Sequence, residues 1–279
     1  MLRLDSKSRK ANLKTGGKRV REKFLLILKV AFIVVLPCGL TLLYSGWFSG
    51  VNEPQSAGGL GVDMSRAAII DGIGVTKPNP EFMGGVKEVL ERAGLKVDVY
   101  EGENVTIDLL RNIGGYGILI LRVHSAIDLK YGFLYLFSAE EFNETEYDVR
   151  FSEEKRLGAV REGVTFENER YFALRADLLG CLRPNGLKGS TIILMGCNGT
   201  GSEHTLNRLF EKGVKAIIAW NGYVSLEYTD EITLNLIRAA YEESLKFPEA
   251  VKKIMEEYGP DPVYESKLEY IGEPSSQQP

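Results

Sequence analysis

Gly117-Ile118-Leu119-Ile120-Leu121-Arg122-Val123-His124, read together with Thr191-Ile192-Ile193-Leu194-Met195-Gly196-Cys197, decides the fold of this chain. Each stretch is a run of strand-forming residues bounded by Gly and polar positions. Such runs predict strands buried on both faces of a parallel sheet rather than half-solvated strands that alternate polar and apolar. Side chains just beyond the carboxyl ends of parallel strands line the crevice where ligands bind. One run ends on an imidazole and the other on a thiol. If the two strands are neighbours, His124 and Cys197 meet at that crevice, the minimum equipment for nucleophilic acyl chemistry.

Outward from these runs, strand and helix patterns alternate. Ala67–Ile73 predicts a strand, Pro80–Ala93 a helix stopped by Gly94, Lys96–Tyr100 a strand and Val105–Ile113 a short amphipathic helix. After Cys197 come a helix over Glu203–Lys212, a buried strand over Val214–Trp220, a long helix over Tyr228–Lys246 and a last helix over Pro248–Tyr258. This order predicts a three-layer α/β domain with a mostly parallel central sheet over residues 66–258. The irregular stretch 128–188 reads as an exposed insertion with β elements at Phe133–Phe137 and Val164–Phe172, and 259–279 as a polar tail.

The net charge of −4 hides an asymmetry. Residues 1–48 hold ten Lys or Arg against Asp5 and Glu22, leaving 24 basic and 36 acidic residues to the remainder, a net of −12. So acidic a domain repels phosphates, which argues against nucleic acid as a partner. The basic start reads as a cytoplasmic segment (1–23) leading into an apolar stretch, Phe24–Tyr44, long enough to span a bilayer. Lys29 lies near its basic end, and Tyr44, Trp47 and Phe48 fall where an aromatic belt belongs. The expected arrangement is a single-pass signal-anchor in the cell membrane, N-terminus cytoplasmic, followed by a Gly/Ser-rich linker (45–65) and an extracellular domain. A cleaved signal peptide and lipid attachment at Cys38 are the rival readings.

Three cysteines make no disulfide framework at this length, although Cys181 and Cys197 are a candidate pair outside the cell. Asn104, Asn143 and Asn198 each open an Asn-x-Ser/Thr triplet. Two His and two extracellular Cys show no metal-ligand spacing, and no glycine-rich phosphate loop is present, so no cofactor is expected.

The ordered set Val123-His124-Ser125, Met195-Gly196-Cys197-Asn198-Gly199, Gly213-Val214-Lys215-Ala216-Ile217-Ile218-Ala219-Trp220, Asp230-Glu231 and Ala239-Ala240-Tyr241, closed by Pro248-Glu249-Ala250-Val251, resembles the caspase-like (clan CD) cysteine peptidase superfamily. Within it the pattern is most similar to the CHAT domain. Joined to the expected anchor, the resemblance implies a membrane-anchored cysteine endopeptidase acting on a protein or peptide substrate through a His124–Cys197 dyad and an acyl-enzyme. It also implies the Ser125 and Cys197 backbone N–H groups as oxyanion donors, and Asp71 or Asp230 as candidates to line a pocket for a basic substrate side chain. The chain departs from the family pattern at Ser125, where Gly is usual. It departs again at Met195-Gly196, where Asp or Gln is followed by Ala or Ser. These departures give weight to the alternative, a catalytically inactive caspase-fold extracellular binding module.

Overall fold

The computed structural model describes residues 63–273. The basic segment, the expected membrane span, Cys38 and nearly all of the linker lie outside those residues. No helix among the described residues is long and apolar enough to cross a membrane.

The elements in chain order are β1 (Asp63–Asp71), α1 (Pro80–Arg92), β2 (Lys96–Glu101), α2 (Ile107–Asn112), β3 (Tyr116–Arg122), β4 (Ser125–Ile127) and β5 (Leu134–Glu141). There follow α3 (Glu144–Val149), α4 (Ser152–Leu157), β6 (Val160–Val164), β7 (Arg170–Arg175), β8 (Thr191–Leu194) and α5 (Glu203–Glu211). The last are β9 (Ala216–Trp220), α6 (Leu226–Tyr241), α7 (Phe247–Glu257) and β10 (Leu268–Gly272). Several boundaries follow from local chemistry. Asn79, Thr106 and Ser202 each place a side-chain oxygen on a first-turn N–H of α1, α2 and α5 respectively, satisfying donors that have no partner inside the helix.

A six-stranded sheet runs in the order β10-β9-β8-β3-β1-β2, parallel throughout except for β10, which joins β9 antiparallel. The structure is thus α/β with a mixed, mostly parallel sheet. Alternate residues of each strand enter opposite cores, as the strand period of two requires. Ala67, Ile69, Ile118, Ile120, Ile193 and Ile218 pack with Phe82, Val86 and Leu90 of α1, Leu236 and Ile237 of α6 and Ala250 and Ile254 of α7. On the other face Ala68, Ile70, Leu119, Leu121, Ile192, Leu194 and Ile217 meet α2, α5 and a second sheet. Both faces are covered, which is why these strands read as unbroken apolar runs.

The second sheet, β4-β5-β7-β6, is antiparallel and occupies most of the stretch read as an insertion. It is no appendage: Leu134, Leu136, Val160, Phe172 and Leu174 are buried in the same core as β3 and β8. Val164–Phe172, expected as one β element, is instead the end of β6, a turn and the start of β7. Thr165 N–H donates to Glu169 O at 2.9 Å and Asn168 adopts φ +65°. The expected polar tail also differs. Residues 259–273 form a loop and β10, the outer strand beside β9.

Candidate functional site

β3 and β8 are hydrogen-bonded neighbours in parallel register, Leu121 opposite Leu194. The chain leaves them at the same edge of the sheet. His124 follows β3 by two residues and Cys197 follows β8 by three, and both line one cavity of about 380 Å³. Each is half-buried, so each is reachable from that cavity.

Ser125 joins the two strand ends. Its hydroxyl donates to the Cys197 carbonyl at 2.6 Å. The facing residue must then be Gly196, because a Cβ there would stand 2.3 Å from Ser125 Oγ and 2.5 Å from the Val123 carbonyl oxygen. Ser125 and Gly196 divide between them a space that could not hold a larger pair. Beyond Cys197 the loop turns on Asn198 in the left-handed region (φ +57°), and Asn198 N–H donates to Gly222 O at 2.8 Å.

Among the described residues two backbone donors meet no acceptor. Phe137 N–H donates to His124 O and Asp128 N–H to Phe133 O, which makes Ser125–Leu136 a non-hydrogen-bonded pair of the β4–β5 ladder. Ser125 N–H therefore points away from β5, on the outer edge of that sheet. Among the described residues no acceptor takes the Cys197 N–H.

Burial favours the uncharged form of both side chains. Burial pushes the Cys197 thiol above its ordinary 9.0 and the nearby Asp261 charge adds to that, while contact with the Val224 backbone pulls the other way. Sγ–H donates to Val224 O at 3.9 Å. Burial lowers His124 below 6.5, and Glu167 and Glu169 only partly restore it. The ring lies against Phe137, centroids 6.0 Å apart, and among the described residues nothing hydrogen-bonds its nitrogens. The helix after Cys197, α5, is in place as the sequence suggests, capped by Ser202.

Asp71 and Asp230 stand elsewhere. Neither lines the cavity of His124 and Cys197. Both are buried on Arg122, which donates to Asp230 through Nε at 2.8 Å and Nη2 at 2.9 Å, to Asp71 through Nη1 at 2.8 Å, and to Lys77 O at 2.9 Å. Asn79 Nδ2 donates to Asp230 at 2.8 Å. Burial works against the Arg122 charge, but the hydrogen bonds and charges of Asp230 and Asp71 more than offset it and raise its pKa. The two acids, read as candidates to line a pocket for a basic substrate side chain, both carry a bond to Arg122. The signal was Arg122 itself, since a guanidinium inside a buried strand requires carboxylate partners.

Asp261, read as tail, sits behind one wall of the cavity and holds Ser225 and Tyr264, which line it. Fully buried, it accepts from Ser225 N–H at 2.9 Å, Val263 N–H at 2.9 Å and Tyr264 N–H at 2.8 Å, and from the Ser225 hydroxyl. Burial raises its carboxyl, yet the Ser225 bonds and the two turn N–H bonds hold it below the usual 3.8. Ser266 Oγ donates to Tyr223 O at 2.5 Å, so the 261–266 loop clasps the segment that carries Val224.

Cys181 and Cys197 are both free thiols, not a disulfide. Among the described residues no group of three His, Cys, Asp or Glu is gathered to hold a metal ion. No protein-family model matches this sequence, and no curated protein is similar to it at a significant level.

Proposed function

We propose that this chain is a cysteine endopeptidase of caspase-like architecture, tethered to the membrane by its N-terminal segment. The observation that carries the reading is the adjacency of β3 and β8, with an imidazole and a thiol on the wall of one open cavity. Cys197 Sγ attacks a peptide carbonyl as its proton passes to His124. The imidazolium then protonates the leaving amine, and the neutral ring next activates water against the thioester. The unpaired N–H groups of Ser125 and Cys197 support the developing oxyanion, a role worth about 3 kcal/mol of barrier per donor.

The test is hydrolysis of fluorescein-labelled casein by the detergent-solubilised full-length protein, beside Cys197→Ala and His124→Ala. Expected is loss of turnover in both variants, with iodoacetamide modifying Cys197 in a His124-dependent manner. Undiminished hydrolysis by Cys197→Ala overturns the proposal. One observation favours a second reading, a binding module that keeps the fold: thiol and imidazole both rest neutral, with no group orienting the ring. A wild-type protein that binds peptides without cleaving them supports that module.

A further inference from the structure

The same cavity has an aromatic wall at its mouth. Phe166, on the turn between β6 and β7, lies 5.4 Å from Tyr223, in the loop after β9, and Tyr223 lies 5.9 Å from Tyr264, in the loop after α7. The three rings come from three separate segments and form one ladder. Their exposures are 73%, 49% and 44%, and Val164 beside them is 52% exposed. An apolar surface left open at the rim of a cleft marks a contact site. These rings are also held there. Asp261 fixes the Tyr264 N–H, Ser266 holds the Tyr223 carbonyl, and the Thr165–Glu169 turn presents Phe166.

Around the ladder the charge is one-sided. Glu167, Glu169 and Glu227 line the cavity against Lys77 alone. None of these four forms a salt bridge among the described residues. Carboxylates beside aromatic faces suit a cation whose aliphatic stem lies on the rings.

We infer that the Phe166–Tyr223–Tyr264 ladder, with its acidic rim, receives an extended polypeptide carrying an aromatic or large aliphatic side chain flanked by Lys or Arg. The inference rests on the same cavity as the proposed peptidase, but it concerns recognition and stands apart from turnover.

The experiment reads anisotropy of fluorescein-labelled octapeptides on full-length Cys197→Ala in detergent. The peptides share a Gly/Ser frame and carry Tyr between two Arg, Tyr between two Glu, or Ala between two Arg. The first should bind at least tenfold tighter than either of the others. Phe166→Ala and Tyr264→Ala should each remove most of the Tyr preference. Glu167→Gln with Glu227→Gln should cut the Arg preference severalfold, Glu169 remaining, and leave the Tyr preference intact. Phe166 is exposed enough that its truncation should leave the melting temperature unchanged, which separates lost recognition from lost folding. Equal binding of the Tyr and Ala peptides, or of the Arg and Glu peptides, overturns the inference. Peptide binding with this preference and no turnover by the wild type removes the peptidase and leaves the recognition site. Turnover without the preference does the reverse.

Discussion

The hydroxyl of Ser125 reaches across from one strand end to the carbonyl of Cys197 on the next, 2.6 Å away, and Gly196 leaves just the room for it. The two residues share one space, so the size of each is limited by the other. Ser125→Ala should cost about 1 kcal/mol of stability, the net value of one hydrogen bond, and slow alkylation of Cys197 by loosening its loop. Gly196→Ala should cost more, about 1–3 kcal/mol, because a backbone carbonyl as well as Ser125 must move. The double variant Ser125→Gly with Gly196→Ala relieves the hydroxyl clash alone, so its urea midpoint should fall between that of wild type and that of Gly196→Ala.

Arg122 with Asp71 and Asp230 is a structural centre two residues before His124. Arg122→Met would leave two buried carboxylates unpaired and should destabilise by about 3–5 kcal/mol. Asp230→Asn should lower the unfolding midpoint while leaving the ratio of rates on basic and neutral peptides unchanged. A collapse of that ratio would restore Asp230 as a substrate contact.

The pH dependence follows from two uncharged residents. His124 is depressed, so the folded state disfavours its charged form; its contribution is intact above 6.5 and stability falls as pH drops below that value. Cys197 is raised, so the folded state favours the thiol; its contribution is intact below 9.0 and is lost as pH climbs above it. Hydrolysis should therefore fall away only below pH 6.5, where His124 takes up a proton. Iodoacetamide modification of Cys197 should still be rising at pH 9, where a free thiol is half ionised. A plateau reached by pH 7 would contradict the buried, neutral thiol.

Asp261 separates charge from geometry. Asp261→Asn keeps one acceptor oxygen but removes the charge near Cys197, so the thiol should ionise at lower pH and alkylate faster at pH 8. Asp261→Ala frees Ser225, Val263 and Tyr264 together and should cost about 2–4 kcal/mol, at about 1 kcal/mol or more per bond to a charged acceptor. Slower alkylation in Asp261→Asn than in wild type would show that the carboxylate acts only through the wall it holds.

Much of this was legible in the chain, for identifiable reasons. Ile118–Leu121 and Ile192–Leu194 are apolar on both faces because both faces are covered, so their strands declared themselves, and with them His124 and Cys197. Pro80 and the Gly94 stop framed the first helix, whereas the side-chain cap of Thr106 starts α2 at Ile107, two residues later than the apolar pattern suggested. Partners set by long-range pairing were hidden. β10 reads as polar because Lys267 and Glu269 alternate with Leu268 and Tyr270 at a sheet edge, and nothing local announces its antiparallel union with β9. Asp261 looks like any turn aspartate until Ser225, 36 residues earlier, folds onto it. Val164–Phe172 misled because both arms favour strand, and only Asn168, suited to positive φ, hinted at the turn.

The wall that Asp261 holds is translated after the two reactive side chains. A ribosome-bound chain grown only as far as Tyr258 already contains His124 and Cys197 with their strands, but lacks the clasp on Ser225 and the third ring of the ladder. A protein truncated after Tyr258 should therefore retain the thiol while losing the selectivity proposed for the ladder.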